Sequence, residues 1–314
     1  FILGVGVKAA IIPLHGWLPT AMVAPTPVSA LLHAVAVVKA GAFAVIRVTG
    51  FVFGPELMQD IGVGTILAWF AAVTIIFASL RALSEDHIKR RLAYSTVSQL
   101  SYVVLGAALA TPAAILGAMF HIVAHAYMKI TLFFCAGAIY ATSHKEYVSQ
   151  LDGLGRKMPL TFAAFTIGSI AITGMPLMVG FISKWNLGVG AVQAGQPVFI
   201  AVLIGSALLN TAYFFPIVYR AYFGRPREET APAEHGAAHA GPGAAHAEHA
   251  AAHDHHADHG EARGAMLYPL LITAVIAFTL GVVPNLGLHF WDLANMATNA
   301  VVNGGGLWLA GGGM

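Results

Sequence analysis

The 314 residues contain one cysteine, Cys135, which excludes an intrachain disulfide and a cysteine-held iron–sulfur cluster. It lies in an apolar run and reads as core filler. Charge is also scarce: Asp, Glu, Lys and Arg make up 10% of the chain, against about 25% in soluble domains. With 58% hydrophobic residues and a mean hydropathy of +0.74, the chain reads as an integral, multi-pass membrane protein. The net charge of +2 is segregated by position and gives no support for nucleic-acid binding.

Carboxylates are missing from the apolar runs altogether. Glu56, Asp60, Glu85, Asp86, Glu146, Asp152 and Asp292 fall in connections or near ends, and the other seven lie in 228–261. Metal cations need anionic or carbonyl oxygens along their path, so this distribution speaks against a metal-cation channel. The sequence also lacks an initiator Met and the charged n-region of a signal peptide, and Phe1 already stands in an apolar run. The expectation is the C-terminal part of a longer protein. No G-x-G-x-x-G follows a strand pattern, so no redox cofactor is implied.

Apolar runs are plentiful. A crossing helix needs about 20 apolar residues. The sequence predicts an all-α polytopic protein of about eight spans: the run to about 12, then about 27–50, 61–83, 92–109, 111–140, 159–192, 197–223 and 266–284. The first is stopped by Pro13. The sixth is too long for one straight crossing and is interrupted at Gly174-Met-Pro176, which predicts a broken helix with Lys184 in its second half. Such breaks occur only where freed backbone groups meet protein or cavity water, and they point to a transport path. After the eighth span a glycine-rich tail is expected.

The 111–140 span carries His121, His125 and Lys129. Residues four apart on a helix differ by about 40° in direction, so the three line one face over about 12 Å of rise. Ionisable groups in hydrocarbon are costly and should face protein or internal water. A single intramembrane His is often an interhelical hydrogen-bond partner. Three in a stripe suggest a proton wire. Zinc is the rival, but the Glu of H-E-x-x-H is absent and no Cys or carboxylate lies nearby in sequence to complete a shell.

Eleven of the 16 Lys and Arg residues cluster in three connections: Arg81, Lys89, Arg90 and Arg91; Lys145, Arg156 and Lys157; Arg220, Arg225, Arg227 and Arg263. The opposite side has Arg47 alone. If each span crosses once, the three connections share one side, which the positive-inside rule places in the cytoplasm. The other four, Lys8, Lys39, Lys129 and Lys184, fall in the membrane with His33, His121 and His125. A desolvated lysine releases its proton more readily than a solvated one, so such a set suits proton transfer. Snorkelling of Lys8 or Lys39 to a polar break is the bland alternative. The 228–261 stretch holds eight histidines among Ala, Gly and acids, a composition that builds no core and reads as a disordered cytoplasmic loop.

Five stretches carry a family resemblance. Lys8-Ala-Ala-Ile-Ile-Pro-Leu-His-Gly-Trp-Leu-Pro-Thr-Ala-Met-Val-Ala-Pro-Thr-Pro-Val-Ser-Ala-Leu-Leu-His33 resembles the signature of the antiporter-like membrane subunits of respiratory complex I, the Mrp cation/proton antiporters and the membrane-bound hydrogenases. So do Ile88-Lys-Arg-Arg-Leu-Ala-Tyr-Ser-Thr-Val-Ser-Gln99 and the residues from His121 to Lys129. Gly180-Phe-Ile-Ser-Lys184-Trp and Leu209-Asn-Thr-Ala-Tyr-Phe-Phe-Pro-Ile-Val-Tyr-Arg220 look most like the Mrp D-type subunit.

The resemblance implies two inverted five-helix repeats, each with a broken helix, forming linked half-channels for protons. It aligns Lys8 with the lysine of the first broken helix, His33 and Lys39 with groups of the next span, Lys129 with the central group of the second repeat, and Lys184 with its broken helix. The family's glutamate partner of Lys8 belongs to an earlier helix outside this chain. On this reading 1–60 ends the first repeat, 61–223 forms the second, 224–264 is the His-rich loop and 265–314 the last span and tail. The expected function is proton translocation, with Na⁺ as the alternative ion, beside other membrane subunits in the bilayer. Electron transfer would belong to those partners. The competing functions are a zinc or other metal transporter with a His-rich loop, and a structural subunit without an ion path.

Overall fold

The computed structural model describes residues 2–225 and 260–304. Among the described residues all regular structure is helical, apart from one isolated bridge between His87 and Tyr147. In chain order the helices are α1 (Ile2–Ala9), α2 (Trp17–Thr20), α3 (Thr26–Ala34), α4 (Val37–Arg47), α5 (Pro55–Asp60), α6 (Val63–Ser84) and α7 (Ile88–Leu109). They continue as α8 (Pro112–Ser143), α9 (Leu154–Lys157), α10 (Pro159–Thr173), α11 (Val179–Gln193), α12 (Val198–Phe223), α13 (Gly264–Val282) and α14 (Phe290–Gly304).

The fold is organised around α8. Pro112 opens it, where the missing N–H costs nothing, and left-handed His144 closes it after 32 residues. At about 1.5 Å per residue it is about 48 Å long, more than the roughly 30 Å of hydrocarbon. Helices α3, α7, α10, α11, α13 and α14 pack around it. That shell explains how three titratable groups can sit on α8 without meeting lipid.

Among the described residues six segments are long and apolar enough to cross a membrane: Thr26–Phe53, Val63–Ser84, Ile88–Leu109, Pro112–Ser143, Val198–Phe223 and Gly264–Val282. The two remaining expected crossings are split, as their prolines and glycines required. One is α1 with α2, the other α10 with α11. Between α10 and α11, Gly174 takes φ +86° and the exposed Leu177 takes φ +69°. A left-handed leucine is strained, and α13 packs directly over it through Gly281, whose position leaves no room for a Cβ beside the Leu177 carbonyl.

The described parts of the three Lys/Arg-rich connections meet at one end of the bundle, as the charge count leads one to expect. The Ile88 N–H donates to the Glu146 carbonyl (2.9 Å), and the Val148 N–H to that of Asp86 (2.8 Å). The Gly153 N–H donates to the Arg220 carbonyl at 3.0 Å.

Three features depart from expectation. The 27–50 span is not one helix: α3 ends at Ala34 and α4 begins at Val37, with the Val35 and Ala36 N–H groups both donating to the Leu31 carbonyl. No Gly or Pro marks this break. It is imposed by packing, with α3 held against α8 and α4 against α1, where Gly41 meets the Lys8 backbone. The expected tail contains α14, whose Phe290, Trp291, Ala294, Thr298 and Val301 recur at helical spacing. Finally, Glu261, at the edge of the expected loop, is ordered: its carboxylate accepts from the Leu160 N–H (2.8 Å) and the Thr161 hydroxyl (2.6 Å). The eight histidines of 228–261 lie outside the described residues.

Candidate functional site

His121, His125 and Lys129 are each fully buried, and each is tied to a different neighbouring helix. His121 Nδ1 is 2.8 Å from the Ser183 hydroxyl of α11. His125 Nδ1 is 2.9 Å from Lys39 Nζ of α4, which also donates to the Ile122 carbonyl at 2.7 Å. Lys129 Nζ donates to the Leu92 carbonyl of α7 at 2.9 Å and to the Ser95 hydroxyl. The two imidazoles stack 5.9 Å apart. The stripe is therefore a set of three outward connections more than a single file.

Lys184 uses the break. Its ammonium donates to the Ile172 (2.7 Å) and Thr173 (3.0 Å) carbonyls, which α10 leaves free where it ends. The same ammonium lies 5.2 Å from the centroid of the Tyr102 ring. His33 is fully buried and stacks on Phe133 at 5.1 Å, with both ring nitrogens lacking a protein partner. Lys8 stands apart, exposed on α1. Five of the seven expected residues are thus buried and Lys184 is half-buried, with Lys39, His125 and His121 in one contiguous group.

Sequence reasoning passed over the hydroxyl and amide groups among these residues. Ser95, Gln99, Tyr102, Ser183, Asn210 and Tyr213 are all fully buried. A signal was available: α7 carries Tyr94, Ser95, Thr96, Ser98, Gln99, Ser101 and Tyr102 in one span. A helix that polar cannot face lipid, and 94% of its apolar window is buried. Several of these polar atoms, including both side-chain atoms of Gln99 and Nε2 of His121 and of His125, have no protein partner. Buried polar atoms of this kind bond to internal water. Among the described residues no three His, Cys, Asp or Glu side chains come together as a metal site would require.

The fold and the site together define the class: a polytopic helical membrane protein whose interior holds lysines and histidines. A sequence profile described as "NADH:quinone oxidoreductase/Mrp antiporter, TM" matches residues 1–209, and the chain belongs to that family. It is 41% identical over 226 residues to NADH-quinone oxidoreductase subunit N of Desulforudis audaxviator, covering 70% of this chain and 44% of the relative. It is 30% identical over 309 residues to NAD(P)H-quinone oxidoreductase chain 4-3 of Nostoc sp., covering 95% of this chain and 54% of the relative. A solved structure of the Mrp complex from Dietzia sp. superposes with a TM-score of 0.81 at 25% identity, covering 96% of this chain and 58% of that one. The chain spans about half the length of the curated relatives it matches.

Proposed function

We propose that the chain forms the proton-conducting second half of an antiporter-like subunit within a complex I-like or Mrp-type membrane assembly. Residues 61–223 make the second repeat and its half-channel, and 1–60 the end of the first. Protons move through internal water between Lys39, His125, His121, Lys129 and Lys184, with His33 beside the path and Lys8 linking to the preceding half. The end of the bundle that gathers the Lys/Arg-rich connections, with the 224–264 loop, faces the cytoplasm.

The observation that carries this reading is the contact of Lys39 with His125 in the absence of any counter-charge. Among the described residues no carboxylate is buried. Two positive charges 2.9 Å apart repel by about 6 kcal/mol at an effective dielectric of about 20. The pair therefore holds one proton at a time, and a proton reaching one member drives release from the other. H⁺ is the ion that these titratable lysines and histidines fit.

The test is Lys129→Met in the full-length protein assembled with its membrane partners. Methionine keeps length and apolar packing but cannot titrate, so assembly should persist and proton translocation should largely disappear. Lys129→Arg keeps a charge that is not given up and should fail nearly as badly. Lys145→Met, at the charged end, is the control. Normal pumping by Lys129→Met would make the stripe structural.

A further inference from the structure

Neither hydrogen bond of the Lys129 ammonium reaches His121 or His125. Both go to α7, and from there a line of buried hydroxyl groups continues. Ser95, bonded to Lys129 and donating its own hydroxyl to the Leu92 carbonyl at 3.0 Å, lies beside the Tyr213 hydroxyl on α12, which it reaches when it turns from that carbonyl. That hydroxyl donates to Asn210 Oδ1, one turn earlier on the same helix. Asn210 and Ser206 in turn face the hydroxyl of Tyr102, back on α7. Tyr102 closes the line: its ring lies 5.5 Å from His121 and 5.2 Å from the Lys184 ammonium.

Ser95, Tyr102, Asn210 and Tyr213 are all 0% exposed. A packed apolar interface between α7 and α12 would be met by Phe, Leu and Ala at these positions. Hydroxyls and an amide there destabilise unless they are bonded. The Tyr102 hydroxyl and Asn210 Nδ2 have no protein partner of ordinary geometry, and buried polar groups in that state bond to internal water.

We propose that Ser95 and Tyr213 carry protons between Lys129 and the Tyr102–Lys184 side of the bundle, with Asn210 holding the two phenols in line. The route rests on the relay reading above but does not pass through either histidine. A proton leaving the Lys129 ammonium forms a new O–H bond at Ser95 as the former Ser95 proton moves to Tyr213. In the same shift Tyr213 gives its own proton to internal water beside Asn210, that water passes one to Tyr102, and Tyr102 releases its former hydroxyl proton towards a Lys184 amine that has already given one up. Every O–H bond formed is matched by one broken, and no tyrosinate accumulates. The amide of Asn210 carries no proton. It is a positioning residue, accepting from Tyr213.

The experiment measures proton flux in proteoliposomes holding the full-length protein and its membrane partners, in H₂O and D₂O. Tyr213→Phe and Tyr102→Phe remove one oxygen each and should slow flux about tenfold. The double variant should be no slower than either alone, because both lie on one line. The solvent isotope effect should change in both single variants, which a merely structural role would not produce. Ser95→Thr keeps a hydroxyl and should retain flux, while Ser95→Ala should lose it, which decides the matter should a tyrosine variant fail to assemble. Wild-type flux and isotope effect in Tyr213→Phe, with Lys129→Met inactive, overturns the hydroxyl route and leaves the relay standing. Normal flux in Lys129→Met overturns both.

Discussion

Lys39 Nζ stands 2.9 Å from His125 Nδ1, joining α4 to α8 across 86 residues of sequence. The helix break at Val35 and Ala36 comes just before Lys39 in the chain, and α4 runs from there against α1 and α7, reaching α8 through this pair. A lysine amine and an imidazole in direct contact can exchange a proton without water between them. Each also limits the charge of the other.

This pair predicts non-additive mutants. Lys39→Met and His125→Gln should each lower proton flux about tenfold or more, and the double variant should be no worse than the weaker single one. His125→Gln retains an oxygen for the Lys39 ammonium and should leave the solubilised protein as thermostable as wild type. Additive losses in proteoliposome flux would mean that the two residues serve separate routes.

The break between α10 and α11 predicts a packing-sensitive site at an uncharged residue. A Cβ at Gly281 would lie 2.3 Å from the Leu177 carbonyl and 2.5 Å from the Met178 backbone. Gly281→Ala must push α13 away from the break, at about 1–3 kcal/mol as overpacking usually costs. Lys184 is held by carbonyls at that break, so flux should fall along with thermal stability. Wild-type behaviour in both measurements would show that the break tolerates displacement.

Glu261 predicts a boundary for the His-rich segment. Its carboxylate accepts from the Leu160 N–H and the Thr161 hydroxyl at the start of α10, and from its own neighbour Ala262 at 3.0 Å. Negative charge at a helix N-terminus also meets the positive end of the dipole. Glu261→Ala should cost about 1 kcal/mol, the usual loss of an N-terminal cap. Deleting 228–258 while keeping Glu261 should leave proton flux intact. Unchanged thermal unfolding of Glu261→Ala would reduce the contact to an incidental one.

Orientation is tested by labelling. Ser84→Cys lies at the charged end and Asp60→Cys at the other, each placed in a Cys135→Ser background. A membrane-impermeant thiol reagent added outside intact cells should label Asp60→Cys and spare Ser84→Cys. The reverse pattern would invert the topology drawn from the charge count.

How much of this was legible in the chain depends on whether a feature is local. Pro13 and Gly174-Met-Pro176 announce the two split crossings, because glycine and proline act on their own backbone. The clustering of three basic connections follows from composition and the bilayer. The break between α3 and α4 has no such marker, since Leu31, Val35 and Ala36 suit an unbroken helix, and only contacts with α1 and α8 decide it. The α14 stripe was readable from Phe290 to Val301 but is obscured by the glycines after it. At the candidate site the charged residues stand out in an apolar sequence, whereas their partners do not. Ser95, Ser183 and Tyr213 become notable only when folding sets them beside Lys129, His121 and Asn210. The stripe itself was drawn from one helix, and the neighbouring helices redirect its three members.

The charged end offers a prediction in pH. His87 caps α7: its Nδ1 accepts from the Lys89 N–H at 3.2 Å, while its backbone bridges to Tyr147 and its ring packs 5.4 Å from the Tyr147 ring. Burial holds the His87 imidazole below the ordinary histidine value of 6.5; Glu146 opposes this, Lys89 and Arg90 add to it, and Glu85 opposes it again. The folded protein therefore binds fewer protons here than the unfolded chain between the lowered value and 6.5. Stability from this group is complete above 6.5 and declines as pH falls through that window. Protonation also turns Nδ1 from acceptor to donor, so the cap is lost with it. His87→Asn keeps a capping oxygen but does not titrate. Thermal unfolding of wild type and His87→Asn should agree near pH 8 and diverge towards pH 5, with the wild type the less stable. Parallel curves over that range would show that His87 keeps its proton equilibrium on folding, and that the acid sensitivity of this end lies with another group.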